Sequence, residues 1–114
     1  MTYAWIQDVP IGEDVYRTIT ERLGDEPLEG CLLHLALRTG DGTLRYVDVW
    51  ESEALCDRAF DGRVHAAVHP VLEEAGVRPA AEPPREVVEV VDVRGAWAAG
   101  AVGVALAATL ESSP

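Results

Sequence analysis

The stretch Leu44-Arg45-Tyr46-Val47-Asp48-Val49-Trp50 alternates with a period of two and runs into Glu51-Ser52-Glu53. A strand with this pattern turns Tyr46, Asp48 and Trp50 to one face and Arg45, Val47 and Val49 to the other. Ser52 is a helix cap followed by a carboxylate in the first turn, so a helix starts as the strand ends. A carboxylate between two large aromatic rings is the strongest constraint in the chain. It is either the wall of a pocket or the rim of a core in which an Arg across the sheet pairs with Asp48.

The flanking segments extend this strand into a fold. Gly40-Asp41-Gly42-Thr43 is a turn signal that joins it to a preceding strand, Cys31 to Arg38, as a hairpin. The Leu content of that strand implies burial on both faces. Tyr3 to Val9 reads as a first strand, ended by Pro10. Ile11, Val15, Ile19 and Leu23 recur every four residues and mark a helix over Glu13 to Leu23, closed by Gly24. After Ser52, Leu55, Ala59 and Phe60 form an apolar side that Asp61-Gly62 is expected to break. A second helical piece follows over about Arg63 to Ala75, kinked by Pro70 or starting its last turn there. Arg78 to Pro84 is a linker, and Glu86 to Val93 a fourth strand.

The order strand-helix-strand-strand-helix-strand is the split βαβ, ferredoxin-like α+β arrangement, with helices on one face of an antiparallel sheet. We assign residues 1–95 to this domain and 96–114 to an apolar C-terminal extension, an extra helix or arm anchored by Trp97. The other sheet face is also apolar and needs a cover, for which a second copy of the chain is the simplest choice.

Composition excludes several functions. The formal net charge is −11, which disfavours nucleic acid and anionic membrane as partners. The chain has neither Lys nor Asn, which removes Schiff-base lysines, Walker-type phosphate loops and any Asn-based oxyanion site. Such an Ala-, Val- and Arg-rich composition is of the kind a high-GC bacterial genome encodes. Cys31 and Cys56 form no Cys-x-x-Cys pair and read as reduced thiols. The start lacks the basic and long apolar stretches of a signal peptide, so a cytoplasmic location is expected.

From Asp48-Val49-Trp50-Glu51-Ser52, the two-part helix after it and the Val-rich last strand, the chain resembles the dimeric α/β-barrel superfamily. Within it, the antibiotic-biosynthesis-monooxygenase-like group is the most similar. The resemblance spans about Tyr3 to Gly95. It implies a homodimer whose sheets pack face to face, and a pocket in each subunit between sheet and helices. Members include cofactor-independent oxygenases, haem-degrading oxygenases and polyketide cyclases. Haem-degrading members combine a first-strand Asn with a Trp and a His on the second helix. The matching positions here hold Gln7, Ala59 and His69, so we expect no tight haem binding.

The residues and the resemblance together suggest a cofactor-independent small-molecule enzyme of bacterial secondary metabolism. Its substrate would be planar, apolar and polyketide-like, and its chemistry of cyclase, isomerase or monooxygenase type. His34 and Asp48 are the candidate proton carriers, because His is the residue type suited to general acid–base work near neutral pH and His34 lies on a Leu-rich strand across the hairpin from Asp48. Tyr46, Trp50, Gln7 and Trp5 are the candidate substrate contacts. His65, His69 and Glu73 are spaced at four residues, the weak signature of a helix-borne metal site that Pro70 opposes. The reading therefore expects neither metal nor cofactor. Two alternatives stand beside it: a non-catalytic ligand-binding or assembly protein of the same fold, and a haem-binding protein through His69.

Overall fold

The computed structural model describes residues 2–77 and 82–94. Four strands, β1 (Tyr3–Val9), β2 (Cys31–Arg38), β3 (Leu44–Trp50) and β4 (Glu86–Val88), form one sheet in the order β2-β3-β1-β4. All three pairings are antiparallel. Helix α1 (Glu13–Leu23) follows β1, and a long helical run, α2 (Glu53–Ala59), a π-helical turn (Phe60–Val64) and α3 (His65–Glu74), follows β3. This is the ferredoxin-like α+β arrangement. The extension at 96–114 lies outside the described residues.

Local chemistry explains the helices. Glu13 and Asp14 occupy the first turn of α1, where the dipole favours carboxylates, and Gly24 closes it with φ +83°. Ser52 Oγ accepts the Leu55 N–H and so caps α2. The expected break at Asp61-Gly62 is absent. One Gly costs a helix only about 1 kcal/mol, and the chain stays helical by widening into the π turn at that point. Such turns add one residue and re-aim their neighbours. Pro70 lies inside α3 on an exposed side. Ala66, whose carbonyl loses its usual partner there, is also an exposed residue.

Two strands differ from their sequence reading. The ladder of β4 ends at Val88 instead of Val93. Val88 pairs with Ala4, next to the start of β1, so the following residues have almost no strand left to pair with. Val90 and Val93 pack instead against Ala4 and Val49 on the open sheet face. Strand β2 has no fully buried residue, although its Leu content implied burial on both sides. It is an edge strand, and among the described residues its apolar side chains are only partly covered.

A bulge in β2 matters for the site. Cys31 pairs with Trp50, whereas Leu33 to Arg38 pair one residue out of that register, from Val49 back to Leu44. Leu32 is the extra residue. Both Leu32 and Leu33 therefore reach the outer-face cluster, and Cys31 takes the helix-facing place beside Trp50.

Gly30 sets up this bulge. Its φ is +85°, and a Cβ there would lie 2.7 Å from the Leu55 Cβ. Its carbonyl accepts the Glu51 N–H at 2.8 Å, tying the start of β2 to the end of β3. Gly30→Ala should cost about 2 kcal/mol or more in urea denaturation, since backbone strain and overpacking coincide. A loss below about 0.5 kcal/mol would show that this junction adapts freely.

Candidate active site

The strand register arranges the helix-facing side of the sheet in cross-strand rows. Tyr3, Trp50 and Cys31 form one row, Trp5, Asp48 and His34 the next, and Gln7, Tyr46 and Ala36 the third. Helices α1 and α3 stand off from this face and enclose a cavity of about 960 Å³. Gln7, Cys31, His34, Tyr46, Asp48 and Trp50 all line it from the sheet. That volume lies at the upper end of ordinary small-molecule sites.

Asp48 is the centre of the polar structure. It is 2 % exposed, among the largest fully buried side chains. Its Oδ2 accepts the Trp50 indole N–H at 3.0 Å, and its Oδ1 lies 2.6 Å from His34 Nδ1. Among the described residues no Arg pairs with it, and Arg45 pairs on the other face with Asp8 at 2.7 Å. Because a carboxylate only accepts, a neutral imidazole bonded to it carries its proton on Nδ1 and leaves Nε2 as an acceptor. The Tyr16 hydroxyl lies 2.9 Å from that Nε2 and in this tautomer is the donor of the bond. The result is a continuous chain, Tyr16 Oη–H to His34 to Asp48, with Trp50 holding the second carboxylate oxygen. The Tyr46 ring meets His34 edge-on at 5.0 Å and fixes the imidazole plane.

The surrounding titratable groups keep their protons. Burial, reinforced by the charge of Asp48, raises the Tyr16 hydroxyl above its usual range. Tyr46 is raised further, by burial first and then by Tyr16 and Asp48. Burial, followed by the Asp48 charge, pushes the Cys31 thiol up to about 11. Cys31 is thus no thiolate nucleophile, and the tyrosines act only as hydroxyls.

The other expected residues fall in several places. Gln7 lines the cavity and spends its amide N–H on the Pro83 carbonyl at 2.7 Å, which pins the segment before β4 along one side. Trp5 is a correction to the expected substrate contacts: it is fully buried and does not line the cavity. It packs edge-on to Phe60, with the Arg85 guanidinium 4.8 Å above it and Cys56 beside it. The reason is its position on β1, which runs under the π turn rather than under α1. Among the described residues the Trp5 indole N–H has no oxygen or nitrogen acceptor, and its polar neighbour is the Cys56 thiol. His65 and His69 line the cavity with Glu73, and their rings stack at 4.7 Å. No group of three or more metal-ligating side chains is gathered among the described residues.

Tyr16 was not among the candidates. The four-residue stripe of α1 drew attention to Val15, yet Tyr16, Ile19, Thr20 and Leu23 also share a helix face and line the cavity. The polar Thr hid that spacing. Cys31 was hidden by the bulge, which an alternating pattern cannot reveal.

No family model matches the chain, and neither does any curated protein. Among solved structures it is similar to the crystal structure described as a "putative Antibiotic biosynthesis monooxygenase from Chloroflexus aurantiacus J-10-fl". The TM-score is 0.56, over 83% of this chain and 98% of that one, at 16% identity. The two proteins share a fold. No helix among the described residues is long and apolar enough to cross a membrane.

The shifted hydroxyl and thiol groups give a signed pH dependence. In the unfolded chain Cys31 loses its proton near its ordinary 9.0, while in the folded chain it keeps it to about 11. Above that lower value the unfolded state holds fewer protons, so stability falls as pH rises. Tyr16 and Tyr46, also raised, act in the same direction at higher pH. The urea midpoint should therefore decline between pH 9 and 11, with a shallower decline in Cys31→Ala. Equal slopes in the two proteins would contradict this burial of the thiol.

Proposed function

We propose that the chain is a cofactor-independent small-molecule enzyme that moves a proton on a planar, mostly apolar substrate of the polyketide kind. The observation that carries this reading is the His34–Asp48 pair in the wall of the cavity, with Tyr16 hydrogen-bonded to the free imidazole nitrogen. A His oriented by a buried carboxylate is the standard construction of a general base near neutral pH. Asp48 sets the tautomer and stabilises the imidazolium that forms. His34 Nε2 takes the proton, and the Tyr16 hydroxyl passes it between substrate and imidazole. Tyr46 offers ring surface for stacking, while Trp50, buried in the cavity wall, holds Asp48 in place. Enolisation of an aromatic ketone, the first step of a cyclisation or isomerisation, needs no more than this. The fold shared with a protein described as an antibiotic biosynthesis monooxygenase is compatible with such a role.

The enzyme acts as a homodimer. Leu33, Leu35 and Val47 line the open sheet face only half-buried, and Leu37 at its edge is 45% exposed. A second copy packed sheet to sheet would cover them. Light scattering at micromolar concentration should give twice the chain mass of 12.3 kDa. A monomer would refute the assembly without touching the site.

Chemistry is testable before any natural substrate is known. The protein should accelerate exchange of the α-hydrogens of 2-tetralone with deuterium, followed by NMR. His34→Ala and Asp48→Ala should lower that rate by about 10²–10⁴-fold. Unchanged exchange in His34→Ala would rule out the proposed base and favour a non-catalytic binding protein.

A further inference from the structure

The cavity has a charge pattern that bears on what it accepts, and this inference rests on the reading of the cavity as a ligand site. Glu21 at the end of α1, Asp25 after it, Glu73 near the end of α3 and Glu82 before β4 all line the cavity and are solvent-exposed. They form a solvent-exposed part of the lining, and Asp48 adds a fifth, buried carboxylate. No Arg lines the cavity among the described residues, and the chain has no Lys.

The guanidinium groups of Arg63, Arg22 and Arg85 are committed elsewhere. Arg63 donates to the carbonyls of Leu23, Glu26 and Pro27 at 3.3, 2.9 and 3.0 Å. Arg22 pairs with Glu74 at 2.8 Å. Arg85 lies over Trp5 and Phe60 and pairs with Asp57 at 3.2 Å. Among the described residues, an anionic ligand would meet these carboxylates with no guanidinium beside it, and the lining imidazoles have acidic partners close by: His34 is held by Asp48, and His65, stacked on His69, lies 3.6 Å from Glu82. Burying an unpaired anion is among the costliest steps in recognition. Uncharged ring systems meet the apolar side chains of Ile19, Val68 and Leu72 without that penalty.

We propose that the cavity selects uncharged ring compounds and rejects analogues bearing a carboxylate, phosphate or sulfate. The substrate is therefore a free neutral molecule, not one delivered as an acid or as a nucleotide-linked thioester. Selectivity resides in Glu21, Glu73 and Glu82, which act on charge and not on shape.

The near-isosteric pair 2-naphthamide and 2-naphthoate tests this. Binding is read from quenching of tryptophan fluorescence at about pH 8, above the ordinary imidazole range. The amide should bind at least about tenfold more tightly at low ionic strength, and the gap should narrow as salt is added. It should also narrow in Glu21→Gln/Glu73→Gln/Glu82→Gln, whose changes are at exposed positions. Naphthoate binding as tightly as the amide, or a gap unchanged in the triple variant, would overturn the proposal and leave the proton-transfer reading standing. Binding of neither compound would overturn both.

Discussion

A buried carboxylate holds this structure's functional face in place. Asp48 is nearly inaccessible, and such a group is tolerated only when its lone pairs are satisfied. Here the donors come from its own strand, through Trp50, and from the neighbouring strand, through His34. Each hydrogen bond to a charged group is worth about 1.5–3 kcal/mol. Satisfying Asp48 therefore also fixes the hairpin register, the indole and the imidazole in one arrangement.

The rest of the site is built outward from that arrangement. Because Nδ1 is committed to Asp48, Nε2 is turned to α1, where Tyr16 meets it. The bulge at Leu32 brings Cys31 beside Trp50 and sends two leucines to the outer face. The π turn keeps α2 and α3 continuous while setting Phe60 against Trp5 and Trp50. On the sheet side of the cavity, one continuous chain of hydrogen bonds runs from Tyr16 through His34 to Asp48, the chain that the proposed function uses to carry a proton.

Much of this was legible from residue order. Alternation placed Tyr46, Asp48 and Trp50 on one face, and the glycine-rich turn paired that strand with the one carrying His34. The ferredoxin-like element order followed from turn and cap chemistry. What escaped were features that depend on partners rather than on pattern. The length of β4 depends on where β1 begins. The burial of Trp5 away from the cavity depends on which helix crosses above it. Tyr16 joins the site because α1 lies over His34, which no periodicity within α1 reveals. Gly62 breaks a helix by propensity, yet tertiary packing of the flanking apolar residues keeps it helical.

The central claim is that Asp48 locks His34 in the tautomer that leaves Nε2 free to accept a proton. Nitrogen-15 NMR of histidine-labelled protein measures this directly. At about pH 8 the account predicts a His34 signal with the proton on Nδ1 and an unprotonated Nε2, and loss of that preference in Asp48→Leu. A His34 protonated on Nε2, or one averaging between tautomers in the native protein, would contradict it.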